Sequence, residues 1–250
     1  MTAAGRALVV TAHPDDVDFV AGGTVATWVA AGIEVTYLVL TDGTAGGDDP
    51  AVPDATLAAV RRAEQAAAAK VLGVGDVRFL GYPDGELVAT PGLRRDIARV
   101  VRQVRPHRVL IPSPEINWAF LPDLHPDHRA AGEAALAAVY PDARNPRAHP
   151  DLARTEGLAA WAVPEIWVMT GPRPDHFVDV TDVVELKVAA LRAHASQTGA
   201  LPDLPGRVRS RLAGWAAAGG LPAGRLAEAF QLLRPPAGPD PGRTGTNPTW

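Results

Sequence analysis

Two short stretches of this chain place histidine, proline and aspartate in the same order, and both carry side chains that bind metal ions or transfer protons. They are His13-Pro14-Asp15-Asp16 and His125-Pro126-Asp127-His128. Imidazole and carboxylate groups are common zinc ligands, and the chain contains no cysteine that would supply a thiolate. The repeated pattern therefore predicts a metal centre built from nitrogen and oxygen donors, with positions left open for water.

Each stretch alone also has a simpler interpretation. Asp15 or Asp16 would cap a helix beside an exposed His13, and the second stretch would be a capped helix start with solvated histidines. The occurrence of two such stretches favours the metal site. Because Pro14 disfavours a helical His13 and suits the first helical position, we expect a sharp strand-to-helix turn. His13 and Asp16 then project together, and Asp15 points separately.

The surrounding sequence predicts an α/β fold, a single domain with a mainly parallel sheet flanked by helices. Apolar or β-branched runs predict strands at residues 8–12, 35–41, 77–80 and 107–111, with weaker candidates at 166–169 and 177–180. Helices are predicted at 17–31, 54–72, 93–104, from the second motif to about 140, and at 182–195, 207–218 and 225–232. Both motifs follow strands, so they meet if those strands are neighbours at the switch point of the sheet.

These motifs give the chain a specific family resemblance. Its landmarks are AHPDD at 12–16, GGT at 22–24, TDG at 41–43, Arg61 with Glu64, HPDH at 125–128, HASQ at 194–197 after Lys187, and AEAF at 227–230. The sequence resembles the LmbE/PIG-L family of zinc-dependent N-acetylglucosamine deacetylases, which includes mycothiol-type deacetylases and amidases. The resemblance implies a Rossmann-like fold and a hydrolase that removes an acyl group from a small amino-sugar substrate.

The resemblance also implies roles for individual residues. His13, Asp16 and His128 correspond to the ligands of one zinc ion per chain, and Asp15 corresponds to the general base. His125 corresponds to the histidine that stabilises the transition state and protonates the leaving amine. Elementary chemistry agrees with this division, since a carboxylate off the metal can accept a proton and an amine leaves only after protonation.

The roles of other polar residues stay open at this stage. Asp127 either orients His125 and keeps it charged or caps the helix. Arg61 matches a substrate-binding arginine, but with Glu64 three residues on it is equally an ordinary surface pair. Asp84 binds a sugar hydroxyl or forms a turn. Residues 194–197 border the pocket or end a helix.

The remaining candidates are two aromatic residues and three histidines. Trp118 and Phe120, in the 112–124 segment before the second motif, line a substrate pocket or cover the core. The remaining histidines lack partner motifs and are expected to be structural or exposed: His107, His149 and His176.

The composition of the chain argues against some classes of binding partner. The net charge of −4 and the absence of a basic run argue against nucleic acid or an anionic membrane as partner. No apolar run is long enough to cross a bilayer, so a cytoplasmic location is expected. We expect the domain to span 1–234 and a Pro/Gly-rich tail to span 235–250. The oligomeric state is not predicted.

Three alternative functions are separable from the deacetylase. An amidase of the same fold cleaves a larger amide, and a metal-binding sensor keeps the ligands without needing a base. A nucleotide-binding module fits poorly, because HPDD replaces the glycine-rich loop that binds pyrophosphate.

Overall fold

The computed structural model describes residues 5–47, 49–118 and 121–236. Within these ranges seven strands form one sheet: β1 (Arg6–Thr11), β2 (Glu34–Thr41), β3 (Asp76–Tyr82), β4 (Arg108–Pro112), β5 (Glu165–Met169), β6 (His176–Asp179) and β7 (Ala227–Leu233). The strand order is β3-β2-β1-β4-β5-β7-β6. Strands β3, β2, β1, β4 and β5 are neighbours in this order and pair in parallel. Strand β7 pairs antiparallel with both β5 and β6. The predicted α/β class with a mainly parallel sheet is confirmed.

The helices pack on both faces of this sheet. They are α1 (Asp16–Ala30), α2 (Asp54–Val71), α3 (Pro91–Val104), α4 (Pro126–Ala137), α5 (Pro150–Arg154), α6 (Val184–Ala193), α7 (Ala195–Thr198) and α8 (Leu204–Ala218). One buried apolar layer lies under α3 and α4, and a second lies under α1 and α2. The central strands are buried on both faces, which explains why their sequences read as near-continuous apolar runs.

The order of the strands brings the two motifs together. Strands β1 and β4 are hydrogen-bonded neighbours, with Ala7, Leu8 and Val9 opposite Arg108, Val109 and Leu110. The chain winds from β1 toward β3 on one side and from β4 toward β5 on the other. This is the predicted switch point, and the crevice beyond the carboxyl ends of its strands is where α/β proteins bind ligands.

Two predicted elements are wrong. The expected helix at 225–232 is strand β7, because pairing between β5 and β6 overrides the helical preference of its Ala, Glu, Gln and Leu residues. The single helix expected at 182–195 is divided into a 3₁₀ turn (Thr181–Val183), α6 and α7, with His194 in a non-helical conformation between the last two.

No helix among the described residues is both long and apolar enough to span a membrane. The expected tail at 235–250 falls, from residue 237 onward, outside the described residues.

Candidate metal centre and catalytic site

The two motifs form different turns although both follow strands. Helix α1 begins at Asp16, and its N-cap Asp15 has a left-handed backbone with φ 92° and ψ −28°. Pro14 therefore lies before the helix, and its expected place at the first helical position is wrong. Helix α4 begins at Pro126, which does occupy the first turn, and its N-cap is His125. The left-handed Asp15 aims its carboxylate differently from Asp16.

The three predicted metal ligands lie together between the two turns. Nδ1 of His13 is 3.2 Å from Nε2 of His128 and 3.6 Å from Oδ2 of Asp16. Nε2 of His128 is 3.1 Å from Oδ1 of Asp16. Donors bound tetrahedrally to zinc at about 2.0–2.2 Å lie roughly 3.3 Å from one another. The two imidazoles and one carboxylate are donor types that zinc binds, and they contact one another through Oδ2 of Asp16 on His13 and Oδ1 of Asp16 on His128.

The other nitrogen of His13 faces two buried carboxylates. Nε2 of His13 is 3.0 Å from Oδ1 of Asp84 and 3.3 Å from Oδ2 of Asp127. Burial opposes charge on His13, but Asp127, Asp16 and Asp84 outweigh burial and raise the pKa of the imidazole to about 12. Carboxylates placed so favour the proton on Nε2, and a metal ion at Nδ1 would take the place of the second proton that their charge otherwise holds on the ring. Their excess negative charge makes the crevice a site for a cation.

His13 is common to both groups of candidate ligands found among the described residues. One group joins it to His125 and His128, and the other joins it to Asp84 and Asp127. The Asp84 and Asp127 group involves the nitrogen that is already hydrogen-bonded to carboxylates. The candidate metal centre is therefore the group between the two turns, which contains His125 and not Asp16, so Asp16 as a ligand stays a prediction.

Asp127 hydrogen-bonds through its carboxylate to His13 rather than to the side chain of His125. Its carboxylate, which is fully buried, also accepts hydrogen bonds from the backbone amides of Gly85 at 2.8 Å and Leu87 at 3.2 Å. Burial alone would raise the pKa of Asp127, but His13 and these amides outweigh it and lower the pKa. The Asp127 carboxylate favours the charged form of His125 as predicted, but its hydrogen bonds go to His13 and the two amides, and the prediction that Asp127 caps the helix is wrong.

His125 itself caps helix α4. Its Nδ1 accepts a hydrogen bond of 3.2 Å from the amide of Asp127, so any proton on the neutral ring sits on Nε2. The His125 and His13 rings meet edge to face with centroids 4.8 Å apart. Partial burial and the His13 and His128 imidazoles lower the pKa of His125. His125 thus has Nε2 left to face the candidate metal centre, where it also belongs to one of the two candidate ligand groups.

Asp15 is held apart from the metal ligands by Arg61. Nη2 of Arg61 donates to Oδ2 of Asp15 at 3.0 Å and to the carbonyl of Pro14 at 2.7 Å. Burial and the neighbouring Asp16 raise the pKa of Asp15 to about 7, although Arg61 opposes the shift. A carboxyl group with a pKa near 7 can accept and release a proton at neutral pH.

The structure decides the alternatives for several other residues. Arg61 is buried, and Glu64 instead accepts hydrogen bonds from the amide and hydroxyl of Ser196, so the surface-pair interpretation is wrong. Asp84 does more than form a turn, because its carboxylate accepts from the amide of Ala45 and contacts His13. His194 is fully buried against Asp18 and does not simply end a helix.

The other residues considered lie away from the metal ligands or outside the described residues. Trp118 is 81% exposed, so it does not cover the core, and Phe120 lies outside the described residues. His107 accepts from the amide of Arg6, His149 contacts Asp142, and His176 packs on Trp167. The expectation that these three histidines are structural or exposed is confirmed.

Sequence comparison now identifies the chain. Residues 8–139 match the PIG-L family, described as GlcNAc-PI de-N-acetylase. The diacetylchitobiose deacetylase of Thermococcus kodakarensis is 35% identical over 195 residues, which cover 77% of this chain and 70% of that protein. The chain belongs to the PIG-L family. The family resemblance drawn from the motifs is therefore confirmed.

Solved structures of PIG-L relatives share the fold. The N,N'-diacetylchitobiose deacetylase of Pyrococcus horikoshii is 31% identical, with a TM-score of 0.82 over 93% of this chain and 85% of that one. GalB, the 4-carboxy-2-hydroxymuconate hydratase of Pseudomonas putida KT2440, is 26% identical, with a TM-score of 0.76 over 98% of this chain and all of that one. Chains similar to this one therefore include both deacetylases and a hydratase.

Proposed function

We propose that this PIG-L protein is a zinc-dependent deacetylase that hydrolyses the N-acetyl group of a small amino-sugar substrate. One observation carries the proposal: His13, Asp16 and His128 approach one another within 3.1–3.6 Å, while the Asp15 carboxylate beside them pairs with Arg61. The match to GlcNAc-PI de-N-acetylase and the likeness to diacetylchitobiose deacetylases support the substrate class.

The metal's contribution is limited to one part of the reaction. When bound, a divalent cation supplies a Lewis acid that polarises the amide carbonyl and makes a nearby water more acidic. Asp15 accepts the proton of the attacking water, since its pKa of about 7 keeps it available at neutral pH. The hydrogen bond from Arg61 keeps the Asp15 carboxylate aimed and prevents it from joining Asp16 as a ligand.

His125 protonates the nitrogen that leaves. In the neutral ring Nδ1 accepts from the amide of Asp127, so Nε2 is the atom that donates, and the protonated ring gives up the contact at Nδ1. The lowered pKa of His125 makes its protonated form a stronger acid toward the amine and reduces the fraction protonated at neutral pH. Before the C–N bond breaks, the protonated ring also stabilises negative charge on the oxygen of the tetrahedral intermediate.

Arg61 and Asp84 are the side chains proposed to contact the substrate. The donors of Arg61 already bind the carbonyls of Pro14 and Gly43 and the carboxylate of Asp15. We therefore assign Arg61 a second role, the support of Asp15. Asp84 contributes to the negative charge around His13 and lies between that ring and the 44–46 turn.

A product assay separates this function from its competitors. Zinc-loaded protein is incubated separately with N,N'-diacetylchitobiose, N-acetylglucosamine, an N-acetylglucosaminyl inositol, a glucosaminyl amide with a larger acyl group and an unsaturated carboxylic acid. Released acid, free amine and loss of the unsaturated acid are measured. We expect acetate and free amine in equal amounts from at least one of the N-acetyl compounds. Cleavage confined to amides with larger acyl groups would instead support the conjugate-amidase alternative. Loss of an unsaturated carboxylic acid by addition of water, with no acetate from any amide, would support chemistry like that of GalB.

A non-catalytic sensor gives a different result in the same assay. It binds zinc but turns over none of these substrates. The presence of Asp15 and His125 beside the ligands favours catalysis, since a sensor has no need of either group.

A further inference from the structure

Asp15 occupies a backbone conformation that it would not adopt unaided. Its φ of 92° lies in the left-handed region, which residues with a Cβ atom avoid, and its side chain makes no capping hydrogen bond to helix α1. Such conformations persist only where the surrounding structure imposes them, and they cluster at functional sites. Some contact must therefore hold this turn in place.

Helix α2 provides that contact through two residues one turn apart. Arg61 binds the carboxylate of Asp15, and Gln65 accepts a hydrogen bond of 2.8 Å from the Asp15 amide through Oε1. Because a backbone amide only donates, this bond fixes which end of the Gln65 amide faces Asp15. Gln65 is fully buried, so water cannot replace it.

The opposite end of Gln65 is held just as firmly. Its Nε2 donates to Oδ2 of Asp18 at 2.9 Å, and the same oxygen is 2.8 Å from Nε2 of His194. Asp18 and His194 are both fully buried. A continuous hydrogen-bonded chain thus runs from the Asp15 amide to the junction of α6 and α7, and no step of the proposed reaction uses it.

We propose that Gln65, supported by Asp18 and His194, is a positioning residue that keeps Asp15 in its left-handed turn. In this role it holds the Asp15 carboxylate beside the metal ligands rather than among them. The inference rests on the proposed function, in which Asp15 is the base. Gln65 touches neither substrate nor metal, so its loss acts on turnover through Asp15.

The first test uses two variants of the zinc-loaded full chain, with N,N'-diacetylchitobiose as substrate. Gln65→Met keeps the length of the side chain and removes both hydrogen bonds. Gln65→Glu keeps the acceptor for the Asp15 amide. We expect Gln65→Met to lower kcat roughly 10- to 100-fold, with zinc content unchanged and KM within about twofold, because a small misplacement of a catalytic group has effects of this size. Gln65→Glu should lower kcat by less than Gln65→Met does. Gln103→Met, the same substitution at an exposed position, serves as the matched control.

A double-mutant cycle with Asp15→Asn distinguishes positioning from a general structural role. If Gln65 acts through Asp15, Gln65→Met lowers kcat in the native background and has no further effect once Asp15 is Asn. The same fold-loss in both backgrounds, or no loss in Gln65→Met alone, would overturn the inference while leaving the base assignment standing. Normal turnover by Asp15→Asn would overturn both.

A crystal structure of Gln65→Met tests the inference without any substrate. We expect φ of Asp15 to leave the left-handed region or its carboxylate to move away from Arg61. An Asp15 that keeps its φ of 92° and its carboxylate contact with Arg61 would overturn the inference, whatever the protein is found to hydrolyse.

Discussion

The two His-Pro-Asp turns have the same first three residues and make different use of each of them. In the first turn the leading histidine is the proposed ligand and the aspartate is the proposed base. In the second turn the leading histidine is the proposed acid, and the aspartate is a buried partner of His13. Only the fourth residue, Asp16 or His128, has the same proposed role in both. Position within a motif therefore does not determine chemistry.

The start of each helix explains the difference. Helix α1 begins at the fourth residue of its turn, whereas α4 begins at the second. In the second turn His125 becomes the N-cap, and the amide of Asp127 occupies its Nδ1. In the first turn Asp15 has a left-handed backbone, and the adjacent carboxylates of Asp15 and Asp16 bind different partners: Arg61 for Asp15 and the amide of His13 for Asp16.

Replacing the leading histidine of each turn should give the largest contrast. We expect His13→Ala to reduce bound metal and turnover to background, since a ligand held by Asp84 and Asp127 is lost. His125→Ala should keep the metal and lose about a hundredfold or more in kcat, as expected for an acid catalyst. Metal analysis and acetate release measure the two effects, with His149→Ala as the control. Loss of metal from His125→Ala would make His125 a ligand.

Replacing the aspartate of each turn should give the next contrast. Asp15→Asn removes proton acceptance and the charge of the ion pair with Arg61 but keeps an oxygen for that hydrogen bond, so we expect zinc to stay bound while kcat falls roughly a hundredfold or more. Asp127→Asn weakens the hold on His13, so we expect metal affinity to fall about 10- to 100-fold and activity to recover when zinc is added in excess. Zinc titration followed by acetate release measures both. If excess zinc does not restore Asp127→Asn, Asp127 has a direct catalytic role.

Much of this centre is readable from the sequence because its members are local. His13, Asp16 and His128 each lie in a short motif after an apolar run, and the order of the runs predicts that the motifs meet. The roles of Asp127 and Arg61 could not be predicted, because tertiary structure sets their partners. Asp127 binds His13 and the amides of Gly85 and Leu87. Arg61 binds the carbonyls of Pro14 and Gly43 and the carboxylate of Asp15.

The hydrogen-bonded chain from the Asp15 amide to His194 is even harder to predict from the sequence. Gln65 lies in an alanine-rich helix, where its spacing of four from Arg61 is the one hint that both face the same side. Asp18 and His194 are 176 residues apart, and nothing in either local sequence links them. Strand β7 was missed for a related reason, because strand pairing rather than composition makes it a strand.

The smallest contrast concerns how the two helices pack. A Cβ added at Gly132 of α4 would lie 2.5 Å from the carbonyl oxygen of Pro112, whereas one added at Gly22 of α1 would lie 3.4 Å from Cγ of Lys187, an ordinary contact distance. We expect Gly132→Ala to lower the free energy of unfolding by about 1–3 kcal/mol. Gly22→Ala should change it by about 1 kcal/mol or less, because Ala favours the helix. Urea unfolding measures both, and equal losses would mean that α1 is packed as tightly as α4.

The central claim is that the two turns together build one metal centre, and zinc titration of metal-stripped protein tests it without a substrate. We predict one equivalent of zinc per chain in the wild type. We also predict that Asp16→Ala in the first turn and His128→Ala in the second each abolish tight binding, since their donors lie 3.1 Å apart. Wild-type zinc affinity in either variant would contradict a centre shared between the turns.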